Sequence, residues 1–266
     1  MEILCFKISG KLAHFRKYYA NNTAFSFTIP PRTSLMGIVA AAMGWQRDSY
    51  YEKMASENIR IGVRVLTPLK KSFHRLNFLS IKSLGDMTKK WSSDFRGEGG
   101  RIQTPLEIVS AWNLPKDMVS YQIFISPTES GKDTFEDIKK QMQKNQPVFN
   151  ITLGIASFNA TISDTQFIED NFIDKNESQE FVLMHSAIPS RNVEKLEFKK
   201  DDFDNYNFVE EDMMPSDFQG NNNREVRKMN RLLFSVTPNP LRVILKNAFY
   251  RIHLPEEEIN IQFMDE

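Results

Sequence analysis

Cysteine is almost missing from this 266-residue sequence, which contains only Cys5. No disulfide bond can therefore form within the chain. Cys5 lies in the apolar alternation of the first predicted strand, where we interpret it as a small buried hydrophobic residue. A lone thiol without a disulfide framework is typical of a reducing compartment, so we expect a cytoplasmic protein.

The sequence also lacks a long hydrophobic run. No apolar stretch approaches the roughly 20 residues that a membrane-spanning helix needs. Residues 1–9 contain Glu2 and Lys7, which interrupt the apolar centre that a secretory signal requires. We therefore expect no membrane partner.

Motifs for metal, cofactor or nucleotide chemistry are missing as well. No Cys/His cluster has the spacing of metal ligands, and no glycine-rich loop of the P-loop or Rossmann type occurs. Acidic residues form short runs at 201–204, 210–212 and 256–258, which are typical of solvated faces. We expect neither a metal nor a cofactor.

The net charge is zero, with 34 Lys and Arg against 34 Asp and Glu, but the charges are unevenly distributed. Residues 1–120 hold 18 basic and 9 acidic residues, whereas residues 121–266 hold 16 basic and 25 acidic residues. Acidic residues concentrate at 164–217, and a basic run follows at 224–251. This asymmetry favours an N-terminal part that binds a polyanion, although two solvated faces without a ligand would give the same pattern.

Strands are predicted where apolar residues alternate or cluster between turn residues. They lie at 2–9, 25–29, 59–66, 73–84, 106–111, 119–125, 148–157 and 159–162, with short strands at 180–185, 193–198, 231–236 and 249–254. Helices are predicted at 34–43, 48–56 and 133–145. Thr33 or Ser34 would cap the first helix, and Gly44 would end it.

The order of these elements predicts an α+β fold. Residues 1–163 are compatible with a ferredoxin-like (RRM-like) domain, in which two helices cover an antiparallel sheet, and residues 164–266 with a β-rich C-terminal subdomain. The polar, glycine-rich residues 85–104 predict the tip of a long hairpin.

Single-stranded RNA requires cations for its phosphates and aromatic planes for its unstacked bases. Residues 14–19 supply both. The start of the helix near Thr33 adds main-chain amides and a positive dipole end, and further basic groups lie at 70–75 and in the hairpin tip. The candidate RNA-binding residues are His14, Arg16, Lys17, Tyr18, Tyr19, Arg32, Thr33, Ser34, Gly37, Lys70, Lys71, His74, Lys89, Lys90, Trp91, Arg96 and Arg101. Surface loops and ordinary helix packing would explain the same residues without RNA, and we interpret 224–231 as a solvated connection.

The residues from Gly10 to Gly44 form a pattern in which a glycine and an aromatic–arginine pair precede a proline-rich entry into a helix of small residues. The residues that carry it are Gly10, Ala13, Phe15, Arg16, Pro30, Pro31, Gly37 and Gly44. This pattern resembles the opening of the CRISPR-associated Cas-five family, the repeat-associated RNA-binding proteins of type I Cascade complexes. Residues 186–190 resemble versions from the I-B subtype.

The resemblance implies a ferredoxin-like domain with a protruding thumb hairpin, whose position corresponds to about 85–104, and a variable C-terminal part. It implies a non-catalytic subunit that binds and caps the 5′ handle of the guide RNA (crRNA). It also implies contacts with the Cascade backbone subunit and with the large subunit that reads the PAM. It leaves open whether the thumb contacts target DNA near the PAM.

Two other functions remain open. One subtype of the resembled family cleaves the CRISPR repeat, so a metal-independent endoribonuclease is the alternative. Such cleavage needs a base, an acid and a cation. Residues of suitable types are His14, His74, Tyr18, Tyr19, Lys70 and Lys71, although their spacing indicates no triad. The third interpretation is a protein adaptor without an RNA role, in which the acidic segment 164–217 binds a basic partner.

Overall fold

Strands dominate the chain, as its many alternating apolar segments predict. A computed structural model describes residues 1–20, 23–79, 101–198, 208–219 and 224–266. The described helices are α1 (Arg32–Met43) and α2 (Lys132–Met142), with single 3-10 turns at Asp170–Phe172 and Ser190–Asn192. The described strands are β1 (Ile3–Gly10), β2 (Leu12–Ala13), β3 (Phe15–Arg16), β4 (Ser26–Phe27), β5 (Ile59–Val65), β6 (Leu69–Leu79), β7 (Arg101–Ala111), β8 (Val119–Pro127), β9 (Ile151–Thr152), β10 (Asn159–Ile168), β11 (Ile173–Asn176), β12 (Val182–Met184), β13 (Ile188–Pro189), β14 (Val193–Glu197), β15 (Val209–Phe218), β16 (Val226–Ser235), β17 (Leu241–Leu245), β18 (Phe249–His253) and β19 (Glu258–Ile261).

The central sheet has the strand order β5-β8-β1-β10-β9, and each of its neighbouring pairs is antiparallel. Strand β1 lies in its middle and is buried on both faces, because successive side chains of a strand point in opposite directions. Phe6 and its same-face neighbours join a core with α1 and α2. Cys5 and its same-face neighbours join a second core that includes Ile252 and Ile261 of the C-terminal strands.

Cys5 is therefore the buried hydrophobic residue that the sequence predicts. Helix α2 is confirmed too, with Phe135, Ile138 and Met142 buried along one face. The predicted helix at 48–56 is wrong, because this segment forms successive turns. Only isolated helical hydrogen bonds form there, such as the bond from the Met54 amide to the Tyr50 carbonyl at 3.0 Å.

Helix α1 begins at Arg32, two residues earlier than predicted. Pro31 is the N-cap residue, and neither Thr33 nor Ser34 caps the helix with its side chain. Proline suits this boundary because its fixed φ directs the chain into the helix while no amide hydrogen is lost from the ladder. Gly44 ends the helix in the left-handed conformation, with φ +72°, as predicted.

The long hairpin pairs β6 with β7 in eleven antiparallel steps, from Leu69–Ala111 to Leu79–Arg101. Strand β7 begins at Arg101, so residues 101–104 belong to the ladder, whereas the sequence pattern assigned them to the tip. The rest of the predicted tip lies outside the described residues.

The C-terminal half adds three-stranded sheets, including β13-β16-β15, and shares a core with the N-terminal half. Met214, Leu232 and Phe234 pack in the same apolar cluster as Phe6. Strand β15 lies against α1. Within the described residues, no helix is long and apolar enough to span a membrane.

Candidate nucleic-acid interface

A groove of about 1020 Å³ runs over one side of the molecule. It is bounded by the segment around β3, by α1, by the start of β7, by β9 and the residues next to it, and by residues of β15 and β16 with Arg224. Its lining includes six of the candidate residues that the sequence predicts: His14, Arg16, Tyr18, Thr33, Ser34 and Gly37. The fold thus brings the N-terminal aromatic–basic segment and a partly buried face of α1 to one surface.

The segment around β3 is held in place by the buried ring of Phe15 and by hydrogen bonds to its main chain. Phe15 is buried and packs edge-on against Tyr121, with ring centroids 6.2 Å apart. Its amide donates to Ser26 Oγ at 2.9 Å, and the Ser26 amide donates to Glu107 Oε2 at 2.8 Å. Since Phe15 points inward, the next side chain, Arg16, is exposed on the groove side.

Charge in the groove has one sign. Among the described residues that line it, the formally charged side chains are Arg16 and Arg224, and no carboxylate is present. Among the described residues, the Arg16 side chain makes one hydrogen bond, from Nη2 to the Ala20 carbonyl at 3.4 Å, which uses one of the five N–H donors of its guanidinium. The described lining thus offers cations to a ligand, although Asp48 next to it offsets part of the charge of Arg224.

Aromatic rings stand at one end of this groove. Tyr18 is 56% exposed and lines the groove, and Tyr19 is 53% exposed. The two rings pack edge to face, with centroids 5.1 Å apart. Exposed rings beside a cation are the groups on which unstacked bases pack.

His14 is buried at the groove wall and has a defined tautomer. Its Nδ1 lies 2.7 Å from the main-chain oxygen of Glu107, which can only accept, so Nδ1 carries the proton. Burial, together with the nearby charge of Arg16, lowers the pKa of His14 below its ordinary value. The ring is therefore neutral at neutral pH, and its other nitrogen, Nε2, is a hydrogen-bond acceptor.

Gly154 explains why the chain can pack so closely behind His14. Its φ is +94°, and a Cβ added there would lie 1.8 Å from the His14 carbonyl oxygen. Only glycine fits this position. The close approach lets the His14 amide donate to the Leu153 carbonyl at 3.0 Å, which fixes the segment from the side opposite Glu107.

The N-terminal turn of α1 forms part of the groove floor through Pro31, Thr33 and Ser34. This end of the helix carries the positive end of the dipole. Gly37 lies one turn further along the helix and leaves the groove open there because it has no side chain. A Cβ at this position would lie 3.3 Å from the Tyr50 hydroxyl oxygen.

Arg32 occupies the interior and is unavailable to a ligand. Its side chain is 1% exposed and forms ion pairs with Asp217 at 2.6 Å and Asp265 at 2.9 Å. Its guanidinium also donates to the main-chain oxygens of Met54 and Ile59. The sequence-based expectation that Arg32 contacts RNA does not fit this geometry; the residue joins α1 to β15 and to the C-terminus instead.

Two predicted lysines are paired with acidic residues of β15. Lys17 Nζ lies 2.5 Å from Asp212 Oδ2, and Lys71 Nζ lies 3.3 Å from Glu210 Oε1. Although burial lowers it, hydrogen bonds to Asp212 and Tyr19 raise the pKa of Lys17 above its ordinary value. Asp212 and Glu210 of β15 thus neutralise two cations of the N-terminal half.

Two of the remaining candidates, Lys70 and His74, do not line the groove. Lys70 is exposed and lies over the Trp112 ring, with Nζ 5.8 Å from the centroid, and His74 is exposed beside Ser72. Arg101 belongs to β7, but its side chain is outside the described part of the chain. Lys89, Lys90, Trp91 and Arg96 also lie outside the described residues.

Sequence reasoning missed the groove residues of the C-terminal half. Phe218 and Arg224 line the groove, together with Tyr50 and Tyr51 from the turns after α1. The basic run that begins at Arg224 was the available signal, but its position beside α1 depends on the pairing of β15 with β16. In the described ranges, no group of three or more His, Cys, Asp and Glu side chains is arranged to hold a metal ion.

The chain is similar to known CRISPR-associated proteins. The family described as CRISPR-associated protein (Cas_Cas5) matches residues 3–227. A crystal structure of a CRISPR protein from Archaeoglobus fulgidus aligns over 98% of this chain and 99% of its own, with 12% identity and a TM-score of 0.55. A chain of a CRISPR RNA-guided surveillance complex aligns over 92% of this chain and 91% of its own, with 14% identity and a TM-score of 0.44. No curated protein matches the sequence significantly. Because the family match spans most of the sequence, the chain belongs to the Cas5 family of CRISPR-associated proteins.

Proposed function

We propose that this protein is a non-catalytic subunit of a type I CRISPR Cascade complex and that its groove binds and caps the 5′ handle of the guide RNA. One observation carries the proposal: the charged side chains among the described lining residues are two arginines, and the exposed ring of Tyr18 lines the same groove. A single-stranded polyanion with unstacked bases fits this combination. Membership in a CRISPR-associated family identifies guide RNA as the candidate strand.

The groove residues divide between phosphate and base recognition. Arg16 presents a planar guanidinium that suits a phosphate oxygen pair, and the N-terminal turn of α1 adds a positive field below it. Tyr18 offers an exposed ring on which a base can stack. Thr33 and Ser34 add hydroxyl groups that can donate to phosphate or accept from a sugar.

His14 supplies a contact that favours RNA over DNA. Because Nδ1 donates to the Glu107 carbonyl, Nε2 can accept the hydrogen of a ribose 2′-hydroxyl. A deoxyribose has no such donor. The lowered pKa of His14 keeps Nε2 an acceptor at neutral pH.

The finer architecture that we propose is a ferredoxin-like domain with a thumb hairpin. The strand order β5-β8-β1-β10, with α1 after β1 and α2 between β8 and β10, supports it. The β6–β7 ladder would be the stem of the thumb. In the complex, this subunit would contact the backbone subunit and the large PAM-reading subunit, as an I-B-type member. Contact between the thumb and target DNA near the PAM stays a prediction.

Replacing Arg16 with alanine tests the groove. We expect binding of a handle-containing RNA to weaken by about 1–3 kcal/mol, as for a lost hydrogen bond to a charged group. Arg231 is the matched control, because it is exposed, pairs only loosely with Glu211 at 3.7 Å and does not line the groove. Equal affinities of the two variants, measured by fluorescence anisotropy, would remove Arg16 from the site.

The second candidate function is a metal-independent endoribonuclease, and the same His14 geometry favours it. A neutral imidazole oriented by a carbonyl can remove the proton of a 2′-hydroxyl, and Arg16 could stabilise the phosphorane charge. Incubation of the intact CRISPR repeat with the protein in EDTA separates the two functions. Cleavage that is lost in His14→Phe would establish the endoribonuclease, whereas an intact repeat supports the binding subunit.

A further inference from the structure

Arg224 extends the groove beyond the residues that the proposed function uses. It is contributed by the C-terminal half, two residues before β16, and it lines the groove together with Val226 and Phe218. Its side chain is 45% exposed. Arg16 and Arg224 therefore place two cations, from opposite ends of the sequence, on one surface.

Neighbouring side chains hold Arg224 in place. Its Nε donates to Asp48 Oδ1 at 2.9 Å, and the Tyr51 hydroxyl donates to the same oxygen at 2.5 Å. The Tyr51 ring packs edge-on against Phe218, with centroids 5.2 Å apart. The hydrogen bond from Tyr51 and the pairing with Arg224 hold the pKa of Asp48 below its usual value, so the anchor is charged at neutral pH.

The anchoring bond uses Nε, and a guanidinium has four further N–H donors on its two terminal nitrogens. Terminal N–H groups in a fixed orientation are suited to the paired oxygens of a phosphodiester. Asp48 offsets part of the positive charge, so Arg224 should be a directional contact of modest strength and not a dominant one.

We propose that Arg224 is a second phosphate-binding residue of the groove, so that the bound RNA strand is held at two separate phosphates by Arg16 and Arg224. This inference rests on the proposed function, since it assumes that RNA occupies the groove. The volume of about 1020 Å³ is at the upper end of the roughly 300–1,000 Å³ typical of small-ligand sites, which leaves room for more than one nucleotide. Tyr50 also lines the groove and offers the strand a further aromatic ring.

The chain offers a closely matched control for this test. Arg227 lies three residues after Arg224, its side chain is also 45% exposed, and it also forms an ion pair with one carboxylate, that of Glu57. Arg227 does not line the groove. Arg224→Ala and Arg227→Ala therefore remove the same positive charge, but only Arg224→Ala removes a side chain that lines the groove.

Full-length wild type, Arg16→Ala, Arg224→Ala and Arg227→Ala are compared by fluorescence anisotropy with a handle-containing guide RNA over a salt series. We expect Arg224→Ala to weaken binding about threefold to tenfold, as for one partly exposed contact. The slope of log K against log salt should become shallower by about 0.7, the value for one phosphate of a single strand. Arg227→Ala should change neither quantity.

A second measurement changes the RNA and compares positions within each protein, so a general loss of affinity in a variant does not imitate the result. RNAs with a neutral methylphosphonate at one position each are bound to the wild-type chain and to the variants. We expect two sensitive positions, of which one becomes insensitive in Arg16→Ala and the other in Arg224→Ala.

The outcomes separate the two proposals. If Arg16→Ala weakens binding but Arg224→Ala behaves like Arg227→Ala, the inference is overturned and the RNA groove stands. If a single methylphosphonate position is sensitive to both arginines, the two-point contact is overturned. If the wild-type chain binds handle RNA no better than a scrambled RNA, the proposed function falls and this inference with it.

Discussion

Replacement of Arg32 should destabilise the protein strongly without removing an RNA contact. Arg32 donates to Asp217 at 2.6 Å, to Asp265 at 2.9 Å and to the Met54 carbonyl at 2.7 Å. Both carboxylates are almost fully buried, with 1% and 3% of their side chains exposed. Arg32→Ala would leave these acceptors in the interior without their donor.

The cost follows from this geometry. Removing one partner of a buried ion pair costs about 3–5 kcal/mol, because the remaining charge is desolvated and unpaired. That is a large part of the 5–15 kcal/mol by which domains are typically stable. Burial already raises the pKa of Asp265 with Arg32 present, so in Arg32→Ala protonation of Asp265 should reduce the deficit as the pH falls.

Urea unfolding of wild type, Arg32→Ala and Arg32→Lys measures the effect. Lysine retains the charge but has one nitrogen in place of the guanidinium fork, so its loss should be smaller than that of alanine. RNA affinity is then measured under conditions in which each variant is folded, and we expect it to be unchanged. A variant that unfolds like the wild type but binds RNA tenfold more weakly would refute the structural role of Arg32.

Three other side chains have environments with measurable consequences. In RNA bound by the wild type, one 2′-deoxy substitution should weaken binding about twofold to tenfold; a penalty of the same size in His14→Phe would exclude His14 as the acceptor. Hydrogen bonds to Asp174 and Glu258 raise the pKa of His253 above 6.5. The protonated ring therefore stabilises the fold fully at a pH below the ordinary pKa, and this stabilisation is lost as the pH rises through the raised pKa. An NMR titration in which Asp174→Asn leaves that pKa unchanged would contradict this. Burial raises the pKa of Cys5 to about 12, so thiol reagents at about pH 8 should label the native chain far more slowly than the urea-unfolded chain, and equal rates would refute its burial.

The elements that the sequence predicts correctly are those governed by local patterns. Helix α2 shows a clear apolar face, and Gly44 ends α1 because few other residues adopt a positive φ there. Strand β15 could not be predicted in the same way. Four of its ten residues are acidic, which suggests a solvated segment, but Asp212 and Asp217 form ion pairs with Lys17 and Arg32.

The candidate site shows the same division. Residues 14–18 and the start of α1 are close in sequence, and both contribute side chains to the groove. Their chemistry could therefore be recognised from a local sequence pattern. Arg224 and its anchor Asp48 are 176 positions apart, and no local pattern relates them. Arg32 was assigned to RNA because a basic residue at a helix start suggests a phosphate site, but its partners Asp217 and Asp265 lie 185 and 233 positions away.

The charge asymmetry between the two halves has a structural explanation as well. The asymmetry favours a polyanion partner for the N-terminal half. Part of the positive charge of that half is neutralised within the molecule, because Lys17 and Lys71 form ion pairs with acidic residues of β15. Arg16 keeps its exposure because β3 directs Phe15 inward. The exposed charge of the groove therefore depends on which cations the acidic strand leaves unpaired, a property of the tertiary structure.

The most direct test of the central claim compares three labelled RNAs in EDTA at two salt concentrations. They are a guide with its 5′ handle, a guide with a scrambled handle, and the intact CRISPR repeat. We predict tighter binding of the guide with the correct handle, weakened by salt, and no cleavage of the repeat. Equal binding of both guides, or cleavage of the repeat, would contradict the account of a non-catalytic subunit that holds the handle in this groove.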